Sequence, residues 1–94
     1  MGALTRLRVI IYIRPWGYEA SCIDATGNGI GKTPEEALKH MKLDVIKQQK
    51  VASCTDSIYV RAAMPDEDQA YRDFMVNRYE GFDIHDVTSI NVET

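Results

Sequence analysis

The sequence predicts an α+β domain: one layer of mainly antiparallel sheet packed by two helices, in the order β-β-(β)-α-β-α-β. Three observations carry this reading. A β-branched run, Leu7 to Arg14, breaks at Pro15-Trp16-Gly17 and resumes at Tyr18; Thr33-Pro34-Glu35-Glu36 has the form of a helix start; and a second, acidic helix start at Asp66 precedes an alternating segment, Val87 to Val92. A chain of 94 residues encloses one modest core, so residues 1–94 are read as a single domain.

Leu7 to Arg14 carries apolar side chains on both parities, Leu7, Val9, Ile11 and Ile13 on one and Ile10 and Tyr12 on the other. Apolarity on both faces marks a central or doubly covered strand. Proline cannot donate to a ladder and glycine frees the backbone, so Pro15-Trp16-Gly17 reads as a hairpin turn with Tyr18 to Asp24 as the antiparallel partner. Thr26-Gly27-Asn28-Gly29 reads as a second turn, its Asn-Gly favoured where φ is positive, and Ile30 to Lys32 as a short third strand.

Thr33 offers an N-cap hydroxyl, Pro34 a preset first helical residue and Glu36 a carboxylate at the third position. The helix that follows carries Leu38, Met41, Val45 and Ile46 on its apolar side and ends near Lys50. Ser57 to Ala62 is expected as a strand. A second helix is expected from Asp66 as N-cap, with Gln69 at the third position, to Gly81 as a glycine C-cap with Phe82 as its apolar contact. Ile84-His85-Asp86 reads as loop and Val87 to Val92 as the closing strand.

Net charge is −3, divided unevenly: residues 1–50 hold eight Lys or Arg against five Asp or Glu, and residues 51–94 hold three against nine. The overall acidity argues against general nucleic-acid binding, which depends on neutralising phosphates. The longest apolar run, Val9 to Ile13, is far below the ~20 residues of a membrane span, and no secretory cleavage pattern is present, so no membrane association and a cytoplasmic setting are expected. Cys22 and Cys54 are expected as free thiols.

The motifs that could carry chemistry fail on spacing. Gly27 to Thr33 resembles a phosphate-binding loop, but G-x-x-x-x-G-K-T needs glycine where Thr26 stands. Neither cysteine has His40 or His85 at a spacing that would make it a nucleophile. Cys22, His40, Cys54 and His85 form no close ligand pair, so neither a metal nor a cofactor is expected. The reading is therefore of a protein that is not an enzyme. Two features fit binding instead. Arg14, Trp16 and Tyr18 mix basic and aromatic side chains at one hairpin, a composition common at interfaces, and Asp66, Glu67 and Asp73 give the second helix an acidic face.

Gly17-Tyr18-Glu19-Ala20-Ser21-Cys22-Ile23-Asp24, the glycine-bearing turn from Gly27 to Gly31, and Lys32-Thr33-Pro34-Glu35-Glu36-Ala37-Leu38 resemble, in this order, the N-terminal domain of HicB-like antitoxins. The resemblance covers about residues 7–50. It implies a partial ribonuclease-H-like β-β-β-α-β core without the nuclease's catalytic carboxylates, whose role is to bind and block a small toxin. Members of that family usually append a DNA-binding segment, whereas residues 65–94 read here as an acidic helix and a strand of the same domain.

These readings converge on a protein-binding module, antitoxin-like or an inhibitor from a phage or mobile element, which blocks a macromolecular partner through Arg14, Trp16, Tyr18, Asp66, Glu67 and Asp73. Pairing of an open sheet edge makes a homodimer a further expectation. Two alternatives use other residues: a small ligand or nucleotide at Gly29, Gly31, Lys32 and Thr33, or nucleic acid on the basic hairpin of Arg6, Arg8 and Arg14.

Overall fold

The structure, a computed structural model, describes residues 4–52 and 63–93. It is an α+β fold with elements β1 (Leu4–Arg14), β2 (Gly17–Cys22), β3 (Asn28–Gly31), α1 (Pro34–Ala52), α2 (Pro65–Met75) and β4 (Ile84–Glu93). The strands form one antiparallel sheet in the order β3-β2-β1-β4. The strand expected at Ser57 to Ala62 lies outside the described residues.

β1 is central, and its two parities face two separate apolar layers. Leu7, Val9 and Ile11 point to one face, where Ala37, Met41 and Val45 of α1 bury against them together with Ala20, Cys22 and Ile90. Ile10 points to the other face and meets Ile23, Ile84 and Tyr71 of α2, with Tyr12, Ala70 and Phe74 packed around them. Each helix thus covers one face, which is why both parities of β1 must be apolar. The apolar positions expected on the first helix are the ones used: Met41 and Val45 are fully buried, and Leu38 and Ile46 pack at the margin.

The start of α1 follows its local chemistry. Thr33 Oγ1 accepts from the Glu36 N–H at 3.1 Å, the Thr33 carbonyl accepts from Ala37 at 3.1 Å, and Pro34 opens the helix. α1 then lies against β3 at unusually close range. A Cβ on Gly29 would strike the Met41 amide nitrogen and the Ala37 carbonyl, and one on Gly31 would come within 2.7 Å of the Ala37 nitrogen. Two strand residues advance about 6.7 Å and four helical residues about 6 Å, so Gly29 and Gly31 meet successive turns of α1. Asn28-Gly29, expected to take positive φ in a turn, lies in β3 and Gly29 supplies close approach instead: among the described residues only Gly17 and Asn77 have positive φ.

Three local expectations are corrected. α2 begins two residues earlier than Asp66 and Gln69 indicated, with Met64 as N-cap, Pro65 at the first helical position and the Glu67 carboxylate accepting from the Met64 N–H at 3.3 Å. The helix also stops before Gly81. Asn77 at φ 59° ends it, its N–H donating to Phe74 O at 3.2 Å and that of Arg78 to Asp73 O at 2.7 Å. This double closure is the pattern glycine usually supplies, and asparagine is the other residue that tolerates it. Finally, Ile84, His85 and Asp86 belong to β4: Asp86 pairs with Ile11 and Ile84 with Tyr12, which leaves His85 as the extra residue of a bulge.

Candidate interaction surface at the hairpin end

The β1–β2 hairpin turns through Pro15 and Trp16, with Arg14 opposite Gly17. Gly17 sits at φ 148°, and a Cβ there would collide with the Gly31 carbonyl, so this position requires glycine. The tight turn leaves the Trp16 side chain in solvent, 54% exposed. The loop before β4 is tied to the same end of the sheet by a bond from Ile13 N–H to Asp83 O at 2.6 Å. That bond brings the neighbouring Phe82, 94% exposed, to the end that already displays Trp16 and the half-exposed Ile13.

Phe82 was expected to fold back as a helix-end contact. Because α2 stops six residues short of Gly81, no helix end is there to receive it, and its ring faces water. A phenylalanine, a tryptophan and an isoleucine are thus exposed at one end of the sheet. The loop carrying it is held in shape: Tyr79 Oη donates to Asp83 Oδ1 at 2.5 Å, and that bond, aided by burial, pushes the phenol up to about 12.

Charged and aromatic side chains order the rim. Arg14 Nε donates to Glu19 Oε1 at 2.9 Å while its guanidinium lies 4.7 Å from the centre of the Tyr12 ring. Tyr12 ionises above its ordinary range, first because it is half-buried and second because Glu67 lies near it. Tyr18 points to the opposite face, where its ring meets His85 edge-on at 5.2 Å. Beside this pair an open groove of about 170 Å³ is lined by Ile11, Pro34, Leu38, Glu35, His85 and Asp86. The bulge sets His85 against Tyr18, a contact that no sequence spacing announces.

The expected site residues are therefore divided. Arg14, Trp16 and Tyr18 share the hairpin end, and Glu67 in the first turn of α2 lies near Tyr12. Asp66 is exposed on α2, and Asp73 lies farther along it, accepting from Gln69 Nε2 at 2.8 Å. In the glycine-rich segment, Gly29 and Gly31 are packed against α1 and the Thr33 hydroxyl is engaged in the helix cap, while Lys32 is exposed.

The arginines are distributed in the same way. Arg8 lies away from the hairpin, holding Asp24 through Nε at 2.9 Å and Nη2 at 2.8 Å and Asp68 through Nη1 at 2.7 Å. Arg72 completes the chain by donating to Asp68 Oδ2 at 3.0 Å. These bonds hold the Asp68 carboxyl below its ordinary range, the Arg8 bond being the main cause, and hold the Arg8 guanidinium firmly charged. With Tyr71 beneath the Arg8 guanidinium at 5.5 Å, the cluster fastens α2 to β1. Arg6 donates to Ser89 Oγ at 3.0 Å.

Among the described residues no three His, Cys, Asp or Glu side chains gather as a metal site, and no helix is long and apolar enough to cross a membrane. Cys22 is buried in the α1 layer; Cys54 lies outside the described residues. Compared with protein-family models, with curated proteins and with solved structures, the chain matches none.

Proposed function

We propose that this chain is a non-catalytic protein-binding module that occludes a partner with its hairpin end. The observation that carries the reading is the exposure of Trp16, Phe82 and Ile13 at one end of the sheet, with Arg14 stacked on Tyr12 beside them and Glu67 of α2 near Tyr12. Aromatic anchors with a polar rim are the usual composition of a binding hot spot. The resemblance of residues 7–50 to HicB-like antitoxins favours a small protein toxin as the partner class, in the cytoplasm and in the setting of a phage or mobile element.

The two other readings have less support. Gly29, Gly31 and Thr33 are occupied by packing and capping, which leaves Lys32 to meet a nucleotide. Of the three arginines of β1, Arg8 and Arg14 are already paired with carboxylates and would have to exchange them for phosphates.

Affinity purification of the full chain from its host tests the proposal. A protein recovered with the wild type and lost with Trp16→Ala and Phe82→Ala supports it. Recovery of a nucleotide or nucleic acid without protein overturns it, as does a protein partner retained at full strength by both variants.

A further inference from the structure

The two edges of the sheet are finished differently. β3, at one edge, has four residues, and α1 satisfies its outward backbone: Asn28 N–H donates to Asp44 Oδ2 at 3.0 Å, and the Ile30 carbonyl lies 2.6 Å from His40 Nδ1. β4, at the other edge, has ten residues without proline or lysine, and no strand among the described residues pairs with its outer side. Short length, charge and proline are the means by which edge strands refuse partners. β3 is short and closed, whereas residues 87–91 of β4, Val-Thr-Ser-Ile-Asn, have none of these guards.

The direction of the open groups follows from β1. Arg8 turns its N–H toward Asp24 at 2.9 Å and its carbonyl toward the Ile23 N–H at 3.0 Å, both on the β2 side, while Ile13 donates to Asp83 on the β4 side. Alternation along β1 therefore turns Leu7, Val9 and Ile11 toward β4, and their partners Ile90, Thr88 and Asp86 back toward β1. Val87, Ser89 and Asn91 are left with N–H and C=O pointing outward. The Val87 N–H is taken by the Asp86 carboxylate at 2.8 Å, which agrees with an outward direction.

We propose that β4 pairs antiparallel with β4 of a second copy, about a two-fold axis at Ser89, so that two sheets become one. The axis makes outward residues meet outward residues: Ser89 faces its own copy and Val87 faces Asn91. No side chain of residues 87–91 is charged, so the paired strand residues themselves oppose no like charges, as an isologous interface requires; Arg6 of the neighbouring strand reaches Ser89 Oγ at 3.0 Å. Among the described residues, α1 packs over β2 and β3 and does not cover this edge. The surface is distinct from the hairpin end, so this proposal stands or falls independently of the partner-binding reading.

The test is the mass of the full chain in solution over a wide range of concentration, by sedimentation or light scattering, with Ser89→Lys and Ser89→Pro as variants. The lysine variant sets two cations face to face at the axis. The proline variant removes an N–H that points outward, so the bond pattern with β1 is kept. The wild type should rise from 10.6 kDa to twice that mass, and both variants should stay at 10.6 kDa with unchanged circular dichroism. A variant-free readout is amide exchange: protection at Ser89 and Asn91 should increase with concentration. A wild type that remains at 10.6 kDa throughout overturns the proposal, whether another part of the chain or a different protein covers the edge. A dimer that persists in both folded variants, or exchange independent of concentration, overturns it equally.

Discussion

Arg8 Nη1 donates to Asp68 at 2.7 Å, joining the central strand of the sheet to the first turn of α2. The same guanidinium holds Asp24 in the β2–β3 connection, so one side chain fastens a helix, a strand and a loop. Removing one partner of this part-exposed cluster leaves the other charges with fewer hydrogen bonds, a loss that solvent partly screens.

Asp68→Asn is therefore expected to destabilise the fold and to flatten its acid dependence. The folded pKa of Asp68 is depressed, so its stabilisation is present above the ordinary aspartate value of about 4 and is lost as pH falls through the lower folded value. Urea midpoints measured from neutral to acidic pH check this. A wild type and variant with parallel profiles would contradict it.

Gly29→Ala is expected to cost about 1–3 kcal/mol, or to lift α1 from β3, because the added methyl meets helix backbone that cannot rotate away. Lys32→Ala, at an exposed position in the same segment, should change stability by less than about 0.5 kcal/mol. Denaturant titration of both variants distinguishes this packing role from a role in holding ligand, since neither measurement contains one.

Asn77→Gly should keep or slightly raise the melting temperature, because φ 59° costs glycine nothing. Asn77→Ala should lower stability by about 1 kcal/mol, since its Cβ opposes the left-handed conformation. Calorimetry of the pair tests whether residue 77, and not Gly81, terminates α2.

Tyr79 is pushed up to about 12 by its bond to Asp83, so in an absorbance titration it should ionise after tyrosines with ordinary values. The contribution of this bond is present below the unfolded tyrosine value of about 10 and is lost as pH rises through about 12. Tyr79→Phe should remove one late-ionising component, leaving that of Tyr12, and loosen the loop that carries Phe82, which amide exchange at residues 80–83 would report.

Sequence by itself determined the elements whose signals are local. The two apolar parities of β1 announced a strand covered on both faces, Thr33-Pro34 placed a helix start, and the spacing of Met41 and Val45 gave its buried side. Trp16 was legible as part of a tight turn, from which its side chain could face solvent or fold back onto the sheet edge; the tertiary structure exposes it. Tertiary structure decided what depends on distant partners. Gly29 and Gly31 suit a turn or a phosphate loop until a helix lies across them, and Arg8 belongs to a basic hairpin until Asp24 and Asp68 close on it. Phe82 is a helix-end contact until Asn77 ends the helix early. The physical reason is the same in each case: side-chain periodicity and caps act within a turn or two of the chain, whereas charge pairing, close backbone approach and the closure of a sheet edge are set by residues that only folding brings together.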